Sequence, residues 1–142
     1  MTFFCGCSYC AKKGKKAILF VDDESIILLS MKSQVKHHFG EQFKYLTAEN
    51  AKEAWDLIVD FEEEGNSVAI IISDWSMPGM NGDEFLRKVH KQFPSIEKVI
   101  ITGFAEETLV DALQKEIGLI TCLKKPWDEK ELIAAISQAI ES

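Results

Sequence analysis

The sequence predicts an α/β fold, a (βα)5 doubly wound parallel sheet, and three observations predict it. Five short apolar runs recur along the 142 residues. Stripes of apolar residues at helical spacing separate them. Four of the five runs deliver a polar or charged residue at their C-terminal end. Strict alternation of this kind implies parallel strands joined by helical crossovers that cover both faces of the sheet.

Residues 17–21 (AILFV) form the first run, which ends in Asp22 and Asp23. Leu28, Met31, Val35 and Phe39 follow at helical spacing over 25–39, and Gly40 stops the pattern. Residues 43–48 (FKYLTA) read as the second strand. Asn50 with Glu53 fits a capping-box variant, opening a helix with Ala54, Leu57, Ile58 and Phe61 inward. Gly65 and Asn66 close it. Residues 68–73 form a strand buried on both faces, and Asp74 follows before the chain turns through Pro78, Gly79 and Gly82. The next helix, 82–93, buries Phe85, Leu86 and Val89 and ends at Pro94. Residues 98–102 (KVIIT) are the fourth strand, and 106–116 a helix with Leu109, Val110 and Leu113 inward. Residues 120–124 (ITCLK) are the fifth strand, leading to Lys125-Pro126. Asp128 with Glu131 reads as a second capping box, before a last helix with Leu132, Ile133, Ile136 and Ile140. Right-handed crossovers and this chain length favour the strand order 2-1-3-4-5, which is flavodoxin-like.

A hydrophobic fraction of 46% and a charged fraction of 27% fit one soluble globular domain. No apolar run approaches the roughly 20 residues that cross a bilayer. No basic start with an apolar stretch marks a secretory leader. The expected location is cytoplasmic, without a membrane partner. Residues 1–16 form a Cys/Lys-rich N-terminal tail, and 17–142 the domain. The net charge is −7, yet the tail holds Lys12, Lys13, Lys15 and Lys16 and no acid. The body is therefore more acidic than the whole, which argues against a nucleic-acid groove.

The strand ends converge on one crevice. In the order 2-1-3-4-5, strands 1, 3, 4 and 5 are neighbours, and ligands bind outside their carboxyl ends at the switch point. Those ends carry Asp22 and Asp23, Asp74, Thr102 and Lys125. A carboxylate such as Asp74 at the mouth of an apolar core is costly unless compensated. Three carboxylates together raise one another's pKa values, and a hard divalent cation on oxygen ligands relieves them. Such an ion is Mg²⁺, which keeps positions open for phosphate oxygens. Lys125 suits a phosphoryl oxygen as a point charge, the Thr102 hydroxyl can donate to another, and Asp74 is left as a nucleophile.

The segments FVDDE, IISDWSMPGMNGDEFL, VIITGFA and CLKKPWDEKEL, taken in order, resemble the motifs of response-regulator receiver domains of two-component signalling. The resemblance covers 17–142. It implies that Asp74 accepts a phosphoryl group from a histidine kinase or phosphotransfer protein. It implies Mg²⁺ held by Asp23, Asp74 and the Ser76 backbone carbonyl, with Asp22 acting mainly through water. Thr102 would follow the phosphoryl group, and Lys125, which directly precedes the proline, would pair with it across a typically cis Lys–Pro bond. The domain would be a phosphoacceptor rather than a turnover enzyme, working with an effector domain or output protein and leaving room for a homodimer. Ser76 and Phe104 would flank the path of attacking water, and the apolar Phe104 ring would slow hydrolysis of the acyl phosphate.

One position departs from the family pattern. Receivers commonly carry Tyr or Phe three residues before the lysine, and here that residue is Cys122. A thiol is small and buries well, but it cannot report a switch as a large ring does. Three other classes compete with the receiver reading, one of them a flavin-binding module of the same fold, for which no Ser/Thr/Gly-rich phosphate loop follows the first strand. A phosphatase with an aspartyl nucleophile usually places an acid two residues after it, where Ser76 stands. A metal or redox module would use Cys5, Cys7 and Cys10, three thiols where structural zinc takes four ligands. The tail otherwise reads as an untethered leader. His37, His38 and His90 read as helix surface residues, Lys124 as solvated, and Met77 and Met80 as packing beneath the Asp74 loop.

Overall fold

Each apolar run is a strand. In the computed structural model, which describes residues 15–103 and 107–141, they are β1 (Lys16–Val21), β2 (Lys44–Ala48), β3 (Ser67–Asp74), β4 (Glu97–Thr102) and β5 (Thr121–Lys124). The helices are α1 (Ser25–Phe39), α2 (Ala51–Glu63), α3 (Gly82–Gln92), α4 (Glu107–Ile117) and α5 (Glu129–Glu141). All strand pairs are parallel, in the order β2-β1-β3-β4-β5. The expectations for Cys5, Cys7, Cys10 and Phe104 lie outside the described residues.

Alternation along the strands divides the core in two. Leu19, Val21, Ile71 and Ile100 face α2, α3 and α4, packing with Ala54, Ile58, Phe85, Leu86 and Leu113. Ile18, Phe20, Ile70, Ile72, Val99 and Ile101 face α1 and α5, packing with Leu28, Met31, Val35, Leu132 and Ile136. Burial on both faces explains why β1 and β3 read as continuous apolar runs rather than as alternating ones.

Several local expectations change in detail. Asn50 Oδ1 accepts from the Glu53 amide at 2.8 Å, but Glu53 reaches back to the Glu49 amide rather than to Asn50. Asp128 Oδ1 accepts from the Lys130 amide at 2.8 Å, an Asx turn rather than the expected reciprocal box with Glu131. Another cap, in which Glu84 Oε1 accepts from the Asn81 amide at 3.3 Å, opens α3. Leu109 is 38% exposed, because the inward stripe of α4 runs from partly buried Val110 through buried Leu113 and Ile117 and leaves Leu109 at its edge. His90 is half-buried and its Nδ1 is enclosed without a partner, unlike the exposed His37 and His38.

Lys98 is the unexpected core residue. It is 2% exposed, and its ammonium donates to the Ile96 carbonyl. Burial lowers its pKa, and Glu97 only partly offsets this. The unfolded chain therefore binds more protons than the folded one as pH approaches 10.5, so folding stability rises with pH in that window. In Lys98→Met this rise is expected to be missing, and the stability difference between parent and variant should change as pH rises toward 10.5. Urea denaturation of both proteins across that range checks it; parallel pH profiles would mean Lys98 does not titrate with folding.

Candidate functional site

Every site residue stands where a strand runs out. β1 ends at Val21, and the Asp22 amide donates to the Ala48 carbonyl at 3.1 Å, which extends the ladder by one residue. Asp22 is fully out of solvent while Asp23 remains exposed. Asp74 is the last residue of β3 and is 6% exposed; the next amide, of Trp75, donates to the Ile101 carbonyl at 3.2 Å. Thr102 closes β4 and is buried. The Lys125 amide donates to the Thr102 carbonyl at 2.8 Å, which turns the Lys125 side chain toward the crevice, while Lys124 is exposed. The Lys125–Pro126 bond is cis.

Oxygens of Asp22, Asp23 and Asp74 lie within 4.8 Å of one another. Lys125 Nζ sits among them, 2.8 Å from Asp22 Oδ2, 3.4 Å from Asp74 Oδ1 and 4.0 Å from Glu24 Oε1. The other Asp22 oxygen accepts from the Glu24 amide at 2.9 Å. Asp22 therefore does not cap α1. It anchors the lysine, and the turn into the helix wraps around it.

The electrostatics follow from burial and crowding. Burial raises the Asp74 pKa most, the Asp22 charge raises it further, and Lys125 with the Trp75 amide only partly offsets both. Burial alone would lower the Lys125 pKa, but the hydrogen bonds and charges of Asp22 and Asp74 together raise it. One ammonium is thus shared by two buried carboxylates, with a third carboxylate beside them. A divalent cation on these hard oxygen donors would remove the remaining repulsion.

Ser76 and Thr102 line the same open cleft of about 570 Å³ as Asp74 and Lys125. Leu109 and Trp75 form its apolar wall. Asp23 faces the opposite flank, at a larger cleft of about 870 Å³ bordered by Trp55 and Met80. Asp22, Asp74 and Lys125 are in contact, Asp23 places an oxygen within 4.8 Å of the other two carboxylates, and Ser76 and Thr102 line the cleft beside Asp74 and Lys125. The sequence reading gave no role at the site to Glu24, Leu109 or Gly82. Only Gly82 left a signal, a glycine where a helix opens directly after the acceptor loop. Met77 packs beneath the loop as expected, 4.0 Å from the Ser73 hydroxyl. Cys122 is half-buried against the α4 side of the core, and burial raises its thiol pKa.

Fold and crevice define a class: an open α/β domain with an acidic, lysine-bearing pocket at the switch point of its sheet. Residues 18–137 match the response regulator receiver domain. A chemotaxis protein CheY homolog of Campylobacter jejuni is 33% identical over 120 residues, covering 81% of this chain and 85% of that protein. The hydrogenase transcriptional regulatory protein HoxA of Cupriavidus necator is 31% identical over 125 residues, covering 88% of this chain but only 24% of that protein. A response regulator receiver domain protein from Clostridium thermocellum superimposes with a TM-score of 0.76 at 32% identity, covering 89% of this chain and 94% of that one. The signal receiver domain of an HD domain-containing protein from Pseudomonas fluorescens Pf-5 gives 0.76 at 28% identity, covering 90% and 95%. The chain belongs to the response regulator receiver domain family, the signalling domains of two-component systems. No described helix is long and apolar enough to cross a membrane.

Proposed function

We propose that this domain is a phosphorylatable switch in which Asp74 accepts a phosphoryl group from a histidine kinase or phosphotransfer protein. The observation that carries this reading is the Lys125 ammonium held between two buried carboxylates, Asp22 and Asp74, at the mouth of the sheet. An Asp74 oxygen attacks phosphorus while the P–N bond of the donor phosphohistidine breaks, and the imidazole leaves after taking a proton. Mg²⁺, held by Asp23, Asp74 and the Ser76 carbonyl with Asp22 behind them, would supply positive charge for the phosphoryl oxygens. Lys125 passes from its carboxylate partners to a phosphoryl oxygen, and the Thr102 hydroxyl donates to another. The movement of Thr102 at the end of β4 would start the switch. Cys122 on β5 has too little volume to relay it as a ring would, so output runs over other surfaces. Effector, dimer partner and cytoplasmic location belong to this same reading.

Incubation with acetyl phosphate and Mg²⁺ tests it, read by intact mass. One phosphoryl adduct per chain is expected, lost when the metal is chelated. An adduct that forms equally without metal would overturn the reading.

The metal site makes a separate prediction. In a Trp55→Phe, Trp127→Phe background, Mg²⁺ is expected to quench Trp75, which adjoins Asp74. Binding should be weak, because few ligands are protein atoms and the site is open. Asp23→Asn should remove the response. A variant that titrates like its parent would place the metal elsewhere.

A further inference from the structure

The end of the sheet opposite Asp74 carries a second charged feature. Lys15, Lys16, Lys32, Lys36 and Lys44 line one open cleft of about 760 Å³, with Glu41 as the only acid among the described lining residues. That leaves the cleft wall with a net charge of +4 in a chain whose net charge is −7. None of the five lysines makes an ion pair among the described residues, whereas Lys52, Lys125 and Arg87 all do. Half-buried Phe43 and Tyr45 complete the wall, and the Tyr45 hydroxyl is tied to the Gly40 carbonyl at 2.7 Å.

The fold sets this arrangement. Lys16 and Lys44 open β1 and β2, where Ala17 registers with Lys44. Lys32 and Lys36 stand one turn apart on α1, and such like-charge pairs weaken a helix. The negative end of the helix dipole favours Lys36, in the last turn of α1. It gives no reason for Lys15, Lys16, Lys32 or Lys44. At physiological salt, charges more than about 8 Å away are largely screened, so the potential at the cleft is set by the charges nearest to it.

We propose that this cleft binds a chain of phosphates, the shared chemistry of a nucleoside triphosphate and an inorganic polyphosphate. Its size is that of a small-ligand pocket. Several mobile ammonium groups around a concavity suit several phosphates in a row better than one isolated anion. The cleft lies at the N-terminal ends of the strands and Asp74 at a C-terminal end, so occupancy leaves the phosphoacceptor crevice free.

The test is isothermal titration of the full chain at about 0.15 M salt without Mg²⁺. Tripolyphosphate, ATP, AMP and inorganic phosphate are the probes. Tripolyphosphate and ATP are expected to bind at least about tenfold more tightly than AMP or phosphate. Equal affinity for the two means that the phosphates alone are read, and tighter ATP means that the aromatic wall also contributes; both support the site. Lys36→Gln with Lys44→Gln is expected to weaken binding about tenfold while phosphoryl uptake at Asp74 is retained. The exposed pair Lys91→Gln with Lys130→Gln should leave binding unchanged. Loss of binding only in Lys12→Gln with Lys13→Gln, or no heat of binding up to about 1 mM tripolyphosphate, would overturn the proposal.

Discussion

Asp74→Asn is expected to take up no phosphoryl group from acetyl phosphate with Mg²⁺, a fall in rate of at least about a thousandfold, roughly 4 kcal/mol of barrier. The amide fits the same volume in a position that is 6% exposed, so the fold should survive. What it lacks is the anionic oxygen that attacks phosphorus. Asp22→Asn should retain part of the uptake, because Asp22 positions Lys125 rather than meeting phosphorus. Labelling of Asp74→Asn at parental level, measured by intact mass, would remove Asp74 from its role. The adjacent lysines separate in the same assay. Lys125→Ala leaves Asp22 and Asp74 buried without their shared ammonium, and breaking such a pair is costly. It is expected to cost about 2 kcal/mol of stability in the presence of a chelator, with part of the loss restored by Mg²⁺. Exposed Lys124→Ala should melt and phosphorylate like the parent. Equal behaviour of the two variants would mean that the 2.8 Å contact to Asp22 contributes nothing.

The residues that were legible in the sequence are those whose position follows from a strand ending. A buried parallel strand is an apolar run, and the polar group after it must emerge at the carboxyl edge. Asp22, Asp74 and Thr102 could therefore be placed without seeing the sheet, while the choice of Lys125 over Lys124 rested on the family resemblance. What chain order does not encode is rotation about a helix axis and contact between distant segments. Leu109 has the spacing of an inward residue, yet the stripe turns through Val110, Leu113 and Ile117. Lys98 carries the residue type of a surface position, but strand alternation puts it on the face that Ile100 occupies. The Lys125–Asp22 contact spans 103 residues of sequence, and the charge count pointed to a divalent cation and paired Lys125 with a phosphoryl oxygen rather than with Asp22. The five lysines of the basal cleft are spread from 15 to 44, so only the fold collects them.

Gly82→Ala is expected to destabilise the domain by about 3 kcal/mol, lowering the melting temperature by on the order of 10 °C. A Cβ at residue 82 would collide with the Asp74 carbonyl oxygen and lie 3.1 Å from both the Asp74 carbonyl carbon and the Trp75 Cα. All three are backbone atoms, so no rotamer change can make room. The close approach has a function in the fold: the Gly82 amide donates to the Trp75 carbonyl at 2.7 Å, fastening the start of α3 to the chain just after the acceptor. The methyl group must push α3 away, breaking that bond, or shift the end of β3 and carry Asp74 with it. Phosphoryl uptake should therefore fall even at temperatures where the variant is folded, which a purely global loss of stability would not produce. Gly79→Ala is the control. Gly79 has φ of 85°, and a methyl group there would meet nothing within 4 Å. Only left-handed strain applies, about 1–2 kcal/mol, with Asp74 undisturbed. Thermal melts and acetyl phosphate labelling of the two variants side by side decide the matter. If Gly82→Ala melts with the parent and labels at its rate, the contact between α3 and the acceptor loop does not hold Asp74 in place.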